Sequence, residues 1–195
     1  MKKLSAYLFL ILFGFSAPSF ADDISEFQIE GISIGDSLLD YFSEKEIKKA
    51  KKDYGYNNDD FTTVEFYQHP SLNMYKNLSV SFKSNDTKYQ IYELSGFDFI
   101  DNDNNECFDK VDIVSNEISK IFNQIEKIST TKNHAGDPTG KSKVKKSNWW
   151  FESKDLIKVE CWDWSKEITE NNSWFDNFAV TFVTDEYLTW IKSAY

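Results

Sequence analysis

The chain reads as an α+β protein, a curved antiparallel sheet with helices packed on one face. Three observations carry that expectation. Runs rich in β-branched and aromatic residues read as strands at Phe61–Tyr67, Leu78–Phe82, Tyr89–Ile100, Leu156–Trp164 and Phe178–Val183, and Leu78–Phe82 and the run from Leu156 alternate with the period of a strand. From Cys107 onward apolar residues recur at 107, 108, 111, 114, 118, 121, 122 and 125, a three-four spacing that gathers on one side only in a helix. Turn formers at Asn85-Asp86 and Ser153-Lys154-Asp155 join neighbouring strand runs into hairpins, which makes the sheet antiparallel. A helix followed by three strands occurs twice, from Ser37 to Ile100 and from Cys107 to Val183, so the order reads as two helix-plus-three-strand halves.

The first 21 residues read as an export leader. Lys2 and Lys3 precede an apolar run from Leu4 to Phe15, and Ser19-Phe20-Ala21 offers small residues where a signal peptidase cuts. The run is too short to span a bilayer, which takes about 20 apolar residues. Asp22, not a cysteine, follows the cut, so no lipid anchor is indicated. The remainder, 22–195, is expected to be a single globular domain, periplasmic or secreted, with no membrane insertion after cleavage. A domain of that length buries roughly 70% of its unfolded surface, and with 41% hydrophobic residues the chain has the material to do so. Net charge is -10, and -12 once Lys2 and Lys3 are gone. So acidic a chain is repelled by phosphate backbones and anionic lipid, which excludes nucleic acid as the expected partner.

Taken in order, Phe27 to Ile34 is an extended run broken at Gly31, expected to be a strand with a bulge. Asp36 or Ser37 caps a turn carrying Leu38, Leu39, Tyr41 and Phe42, and Ser43 with Glu46 forms a capping box that opens a helix through Ile47 to Gly55. His69-Pro70 closes the strand from Phe61. Gly96 is expected to interrupt the run from Tyr89. After the helix from Cys107, Gly136, Pro138 and Gly140 predict an irregular loop over Ser129–Lys143. Trp149–Glu152 and Leu156–Trp164 form a hairpin, and Thr184 or Asp185 caps a closing helix with Tyr187, Leu188, Trp190 and Ile191.

The two cysteines, Cys107 and Cys161, are expected to form a disulfide in an oxidising compartment. Catalytic motifs are missing: there is no Gly-x-Ser-x-Gly, HExxH or Cys-x-x-Cys, and the histidines are His69 and His134. The GDPTGKS run from Gly136 to Ser142 has three residues between its glycines where a phosphate loop needs four, so nucleotide is not its ligand. His134, Asp137, Thr139, Lys141 and Ser142 nevertheless concentrate polar chemistry in one loop, within a basic stretch of an acidic protein, and make it a candidate ligand site. Asp101, Asp103 and Asn105 echo the alternate oxygen ligands of a calcium loop, the one cofactor the sequence admits, although Glu106 stands where the sharp turn wants glycine. All six tryptophans lie beyond residue 148. Strand alternation sets Trp162 and Trp164 opposite Ile157, Val159 and Cys161, as an aromatic platform or a face covered by other elements.

GISIGDSLLDYFS at Gly31–Ser43, HAGDPTGKS at His134–Ser142 and ECWDW at Glu160–Trp164 resemble segments of a group of small exported bacterial proteins with no assigned activity. That likeness implies one exported domain and no function. The helix-then-strands order is also similar to β-lactamase inhibitor and outer-membrane assembly lipoprotein modules, which bind proteins. The expected function is therefore an exported binding or interaction module for an envelope protein or small ligand. Two alternatives stand beside it. One is a carboxylate-based hydrolase of glycans using Glu160 or Asp163 beside the tryptophans, whose side chains alternation turns to opposite faces. The other is a calcium-stabilised structural domain.

Overall fold

The structure, a computed structural model, describes residues 23–100 and 104–194. The leader and the calcium candidates Asp101 and Asp103 lie outside the described residues, as does the side chain of Asn105.

In chain order the elements are β1 (Gln28–Ile29), β2 (Ile32–Ser33), α1 (Glu44–Lys49), β3 (Lys51–Lys52), β4 (Phe61–Tyr67), β5 (Asn77–Lys83), β6 (Ile91–Phe99), α2 (Asn104–Ile121), β7 (Lys127–Asn133), β8 (Lys143–Trp150), β9 (Leu156–Asp163), α3 (Lys166–Asn172), β10 (Asn177–Val183) and α4 (Asp185–Ser193). An eight-stranded antiparallel sheet runs β3-β4-β5-β6-β10-β9-β8-β7, and β1 pairs with β2 in a separate hairpin. The α+β class and the antiparallel sheet stand as the sequence predicts. Two compact units divide the described residues: the first takes those of Met1–Gly96, Phe151–Leu156 and Thr181–Tyr195, the second those of Phe97–Trp150 and Ile157–Val180.

In the first unit Glu30 and Gly31 both take positive φ, 57° and 79°. Two left-handed residues in succession reverse the chain, so Phe27–Ile34 is a two-residue hairpin rather than a bulged strand. The Glu30 carboxylate accepts the backbone N–H groups of Asn73, Met74 and Tyr75, each at 2.7 Å. Ser37 caps a short 3-10 turn, and both halves of the Ser43–Glu46 capping box are made at the start of α1. The helix ends at Ala50, short of Gly55, because Lys51 and Lys52 leave it to pair with Val64 and Thr63. Gly96 does not interrupt β6. The strand runs through it, and a side chain there would lie 2.4–2.8 Å from the buried ring of Tyr75. Phe61, Leu156, Val183, Tyr187, Trp190 and Ala194 form an aromatic-rich core cluster, with α4 capped by the Thr184 hydroxyl.

In the second unit α2 is fastened to the strands through its polar as well as its apolar residues. The disulfide joins Cys107 to Cys161 of β9. Lys110 reaches Asp98 of β6 at 3.2 Å and lies over the Phe178 ring of β10. Lys145 of β8 meets Asp112 at 2.5 Å, and Lys127 of β7 donates to Asn116. These contacts define one sheet face.

Ser129–Asn133, expected as loop, is most of β7, in unbroken register with β8 from Lys127↔Trp149 to Asn133↔Lys143, so only 134–142 is irregular. An edge strand needs one partner and no buried face, and its Ser-Thr-Thr run therefore carries no apolar alternation. The second half thus holds four strands, not three. The short helix α3, with Ile168 as its buried residue, has no counterpart in the sequence reading.

Candidate functional site

The contacts of α2 settle which way the strand residues point. Cys161, Lys145, Lys127 and Asp98 face the helix, so their neighbours along each strand turn to the opposite face. That face carries Phe97, Trp162 and Ile128, with Lys158, Glu160 and Lys146.

Trp162 and Trp164 stand there with ring centroids 5.6 Å apart. His134, the first residue of the β7–β8 turn, packs on both, at 4.8 Å from Trp162 and 4.5 Å from Trp164. Trp174, delivered by the loop after α3, closes on Trp164 at 4.7 Å and remains 42% exposed. The platform is therefore half-covered by its own turn and loop. Ser173 enables this by ending α3 in the left-handed region at φ 55°.

Local chemistry seats the histidine. Its backbone N–H donates to Ser142 O at 2.9 Å, and its Nδ1 accepts the Gly136 N–H at 3.0 Å, so in the neutral ring the proton sits on Nε2. Burial among the tryptophans holds His134 below the ordinary histidine range; Lys132 adds to this and Asp137 opposes it. A side chain at Gly136 would lie 3.0 Å from His134 Cε1, so the glycine makes room for the ring.

Asp137, 4% exposed, organises the turn. Its carboxylate accepts from Ser142 N and Oγ at 2.9 and 2.6 Å, from Thr139 N and Oγ1 at 2.8 and 2.7 Å, and from Ser165 Oγ at 3.1 Å. The hydrogen bonds from Ser142 first, and then those from Thr139, hold it well below the usual carboxylate range. Of the residues the sequence singled out, His134, Trp162 and Trp164 come together. Asp137, Thr139 and Ser142 form the turn that presents them, their polar atoms engaged with one another, and Lys141 stands exposed. Trp174, Gly136, Ser165 and Asp176 were not foreseen. Trp174 alone carried a signal, as a member of the tryptophan-rich second half.

The carboxylates regroup. Glu160 is buried and paired with Lys158 at 3.0 Å. Asp163 instead feels Asp176, whose Oδ1 accepts the Trp164 N–H at 2.7 Å. Burial raises both carboxyls above their ordinary range, and for Asp163 the Asp176 charge adds to the shift while Lys143 opposes it.

A further run of rings continues beside the cluster. Phe175, 54% exposed, meets Phe99, 41% exposed, at 5.9 Å, and Phe99 meets Phe97 at 5.6 Å. In the first unit a separate shallow cleft of about 720 Å3 is lined by Asp60, Lys83, Asp86, Tyr92 and Glu186 among others, and is bridged by the Lys83–Glu186 ion pair at 2.6 Å. Among the described residues no group of three or more His, Cys, Asp or Glu side chains could hold a metal ion, and no helix is long and apolar enough to cross a membrane. No protein-family model, curated protein or solved structure matches the chain.

Proposed function

We propose that this protein is an exported binding module whose partner, another envelope protein, seats on the aromatic strip of the second unit. One observation carries the reading: two groups of contacting rings, Trp162, His134, Trp164 and Trp174, and Phe175, Phe99 and Phe97, are joined through the chain neighbours Trp174 and Phe175, and Trp174, Phe175 and Phe99 are open to solvent. Clustered exposed aromatics mark docking surfaces, since they bury large area for little side-chain entropy. A strip of this length exceeds what a single sugar ring covers and suits a protein surface. The Cys107–Cys161 disulfide and the leader-like start support an oxidising, extracytoplasmic setting.

The test is cross-linked capture from the host envelope fraction, comparing the natural chain with Trp174→Ala/Phe175→Ala, a change confined to exposed side chains. One stoichiometric partner, lost in the double variant while circular dichroism stays unchanged, supports the reading. A partner held equally well by the variant, or none, overturns it.

The pair Asp163 and Asp176, both raised and both next to Trp164, favours a second reading as a glycan hydrolase, with one carboxyl protonated as acid. It requires that a polysaccharide be cleaved by the natural chain and left intact by Asp163→Asn and Asp176→Asn.

A further inference from the structure

We propose that β7 is an open acceptor edge that takes up an extended acidic polypeptide segment by strand addition. This inference rests on the backbone of the edge, not on the aromatic strip.

β7 is the last strand of the sheet, and its seven residues are exposed or half-exposed. The His134 N–H donates to Ser142 O, and the same register continues as Lys132↔Val144, Thr130↔Lys146 and Ile128↔Asn148. In an antiparallel ladder alternate pairs exchange both backbone bonds. Ile128, Thr130 and Lys132 therefore turn their N–H and C=O groups toward β8, while Lys127, Ser129, Thr131 and Asn133 turn theirs outward. Among the described residues none of those outward groups has a hydrogen-bond partner. Of the usual protections of an edge the strand has only its lysines, Lys127 and Lys132: there is no proline, the register holds no bulge, and its side chains are exposed or half-exposed. Four residues with free outward groups form a template for another strand.

Charge decides what that strand is. The stretch 127–150 carries six lysines, at 127, 132, 141, 143, 145 and 146, against one carboxylate, the internally bonded Asp137, within a chain of net charge -10. Lys127 and Lys132 repel a second copy of the same edge and attract carboxylates. Residues directly opposite in an added antiparallel strand come within about 5 Å. An incoming segment thus places an apolar residue beside Ile128, 47% exposed, and an acidic one beside Lys132, on the same face.

The experiment uses the purified protein and the peptide acetyl-Thr-Glu-Thr-Val-Thr-Val-Glu-Thr-amide, whose spacing sets glutamates opposite Lys132 and Lys127 and a valine opposite Ile128, with the same peptide carrying lysine for glutamate as comparison. The glutamate peptide is expected to bind saturably, to slow amide hydrogen exchange at Ser129 and Thr131, and to weaken as salt is raised. Thr131→Pro removes one outward N–H without touching the β8 ladder, and weakens binding about tenfold or more. Lys127→Glu/Lys132→Glu leaves the backbone alone and reverses the preference between the two peptides, which keeps the test decisive if the proline variant misfolds. Absence of exchange protection at millimolar peptide, equal binding of the lysine peptide, binding indifferent to both variants, or protection of the edge by self-association would each overturn the proposal.

Discussion

Replacing Gly96 with alanine sets two physical effects against each other, and the structure decides the sign. Glycine inside a strand loses more conformational freedom on folding than alanine, so the change would be expected to stabilise by about 0.5–1 kcal/mol if there were room for a methyl group. There is none. The new Cβ would lie 2.4, 2.7 and 2.8 Å from Cδ2, Cγ and Cε2 of Tyr75, against an ordinary carbon–carbon separation of about 3.5–4.0 Å. Tyr75 is 5% exposed and its backbone N–H is held by Glu30, so the ring has nowhere to retreat without moving the loop that bears it. Overpacking of this kind costs about 1–3 kcal/mol, enough to outweigh the entropic gain. Urea unfolding followed by circular dichroism should show Gly96→Ala destabilised by about 2 kcal/mol, a Tm drop of about 4–8 °C for a chain of this size. In a Tyr75→Ala background the obstacle is gone, and the same change should be neutral or stabilising by about 0.5 kcal/mol. A single variant as stable as the natural chain, or a destabilisation that persists without Tyr75, would refute the reasoning.

Two further outcomes are expected. Cys107→Ser/Cys161→Ser releases a cross-link spanning 54 residues, for which the chain-entropy argument gives about 4 kcal/mol; a thiol assay on the natural protein should find no reactive cysteine before reduction, and free thiols there would remove the basis of the estimate. Burial first, and then the Asp176 charge, raise the Asp163 carboxyl, so the folded state prefers it protonated. Stability from that site is complete below the unfolded value of about 3.9 and is lost as pH rises through the folded value. Asp163→Asn should therefore raise Tm at pH 7 and give no gain below about pH 4, whereas a variant less stable at pH 7 would show that the charge is compensated.

What could be read along the chain was what depends on near neighbours. Ser43 and Glu46 form their box three residues apart, and Thr184 caps α4 through a bond of the same span. The strand at Phe61–Tyr67 stands where its residues predict it, and the three-four spacing from Cys107 marks a helix, Asn104–Ile121, that begins before Cys107 and ends short of Phe122 and Ile125. With two cysteines in the chain, the pairing had one solution. The bulge expected at Gly31 failed because two left-handed residues, Glu30 as well as Gly31, form a hairpin, and glutamate gives no local sign of such a φ. β7 was illegible because its stability comes from β8 and its side chains are nearly all in solvent. Gly96 looked like a break, and its reason is a tyrosine 21 positions earlier.

The site divides the same way. Alternation put Trp162 and Trp164 on one face. Only tertiary structure could bring His134 from the β7–β8 turn and Trp174 from beyond α3 onto that face, or set Asp176 near Asp163. The caps, the amphipathic helix from Cys107 and the one possible disulfide could be read from the chain alone, since those follow from bonds and periods of a few residues and from there being two cysteines. The tertiary structure decided the edge, the aromatic strip and the packing at Gly96, since each depends on which distant segments share a surface once the chain is folded.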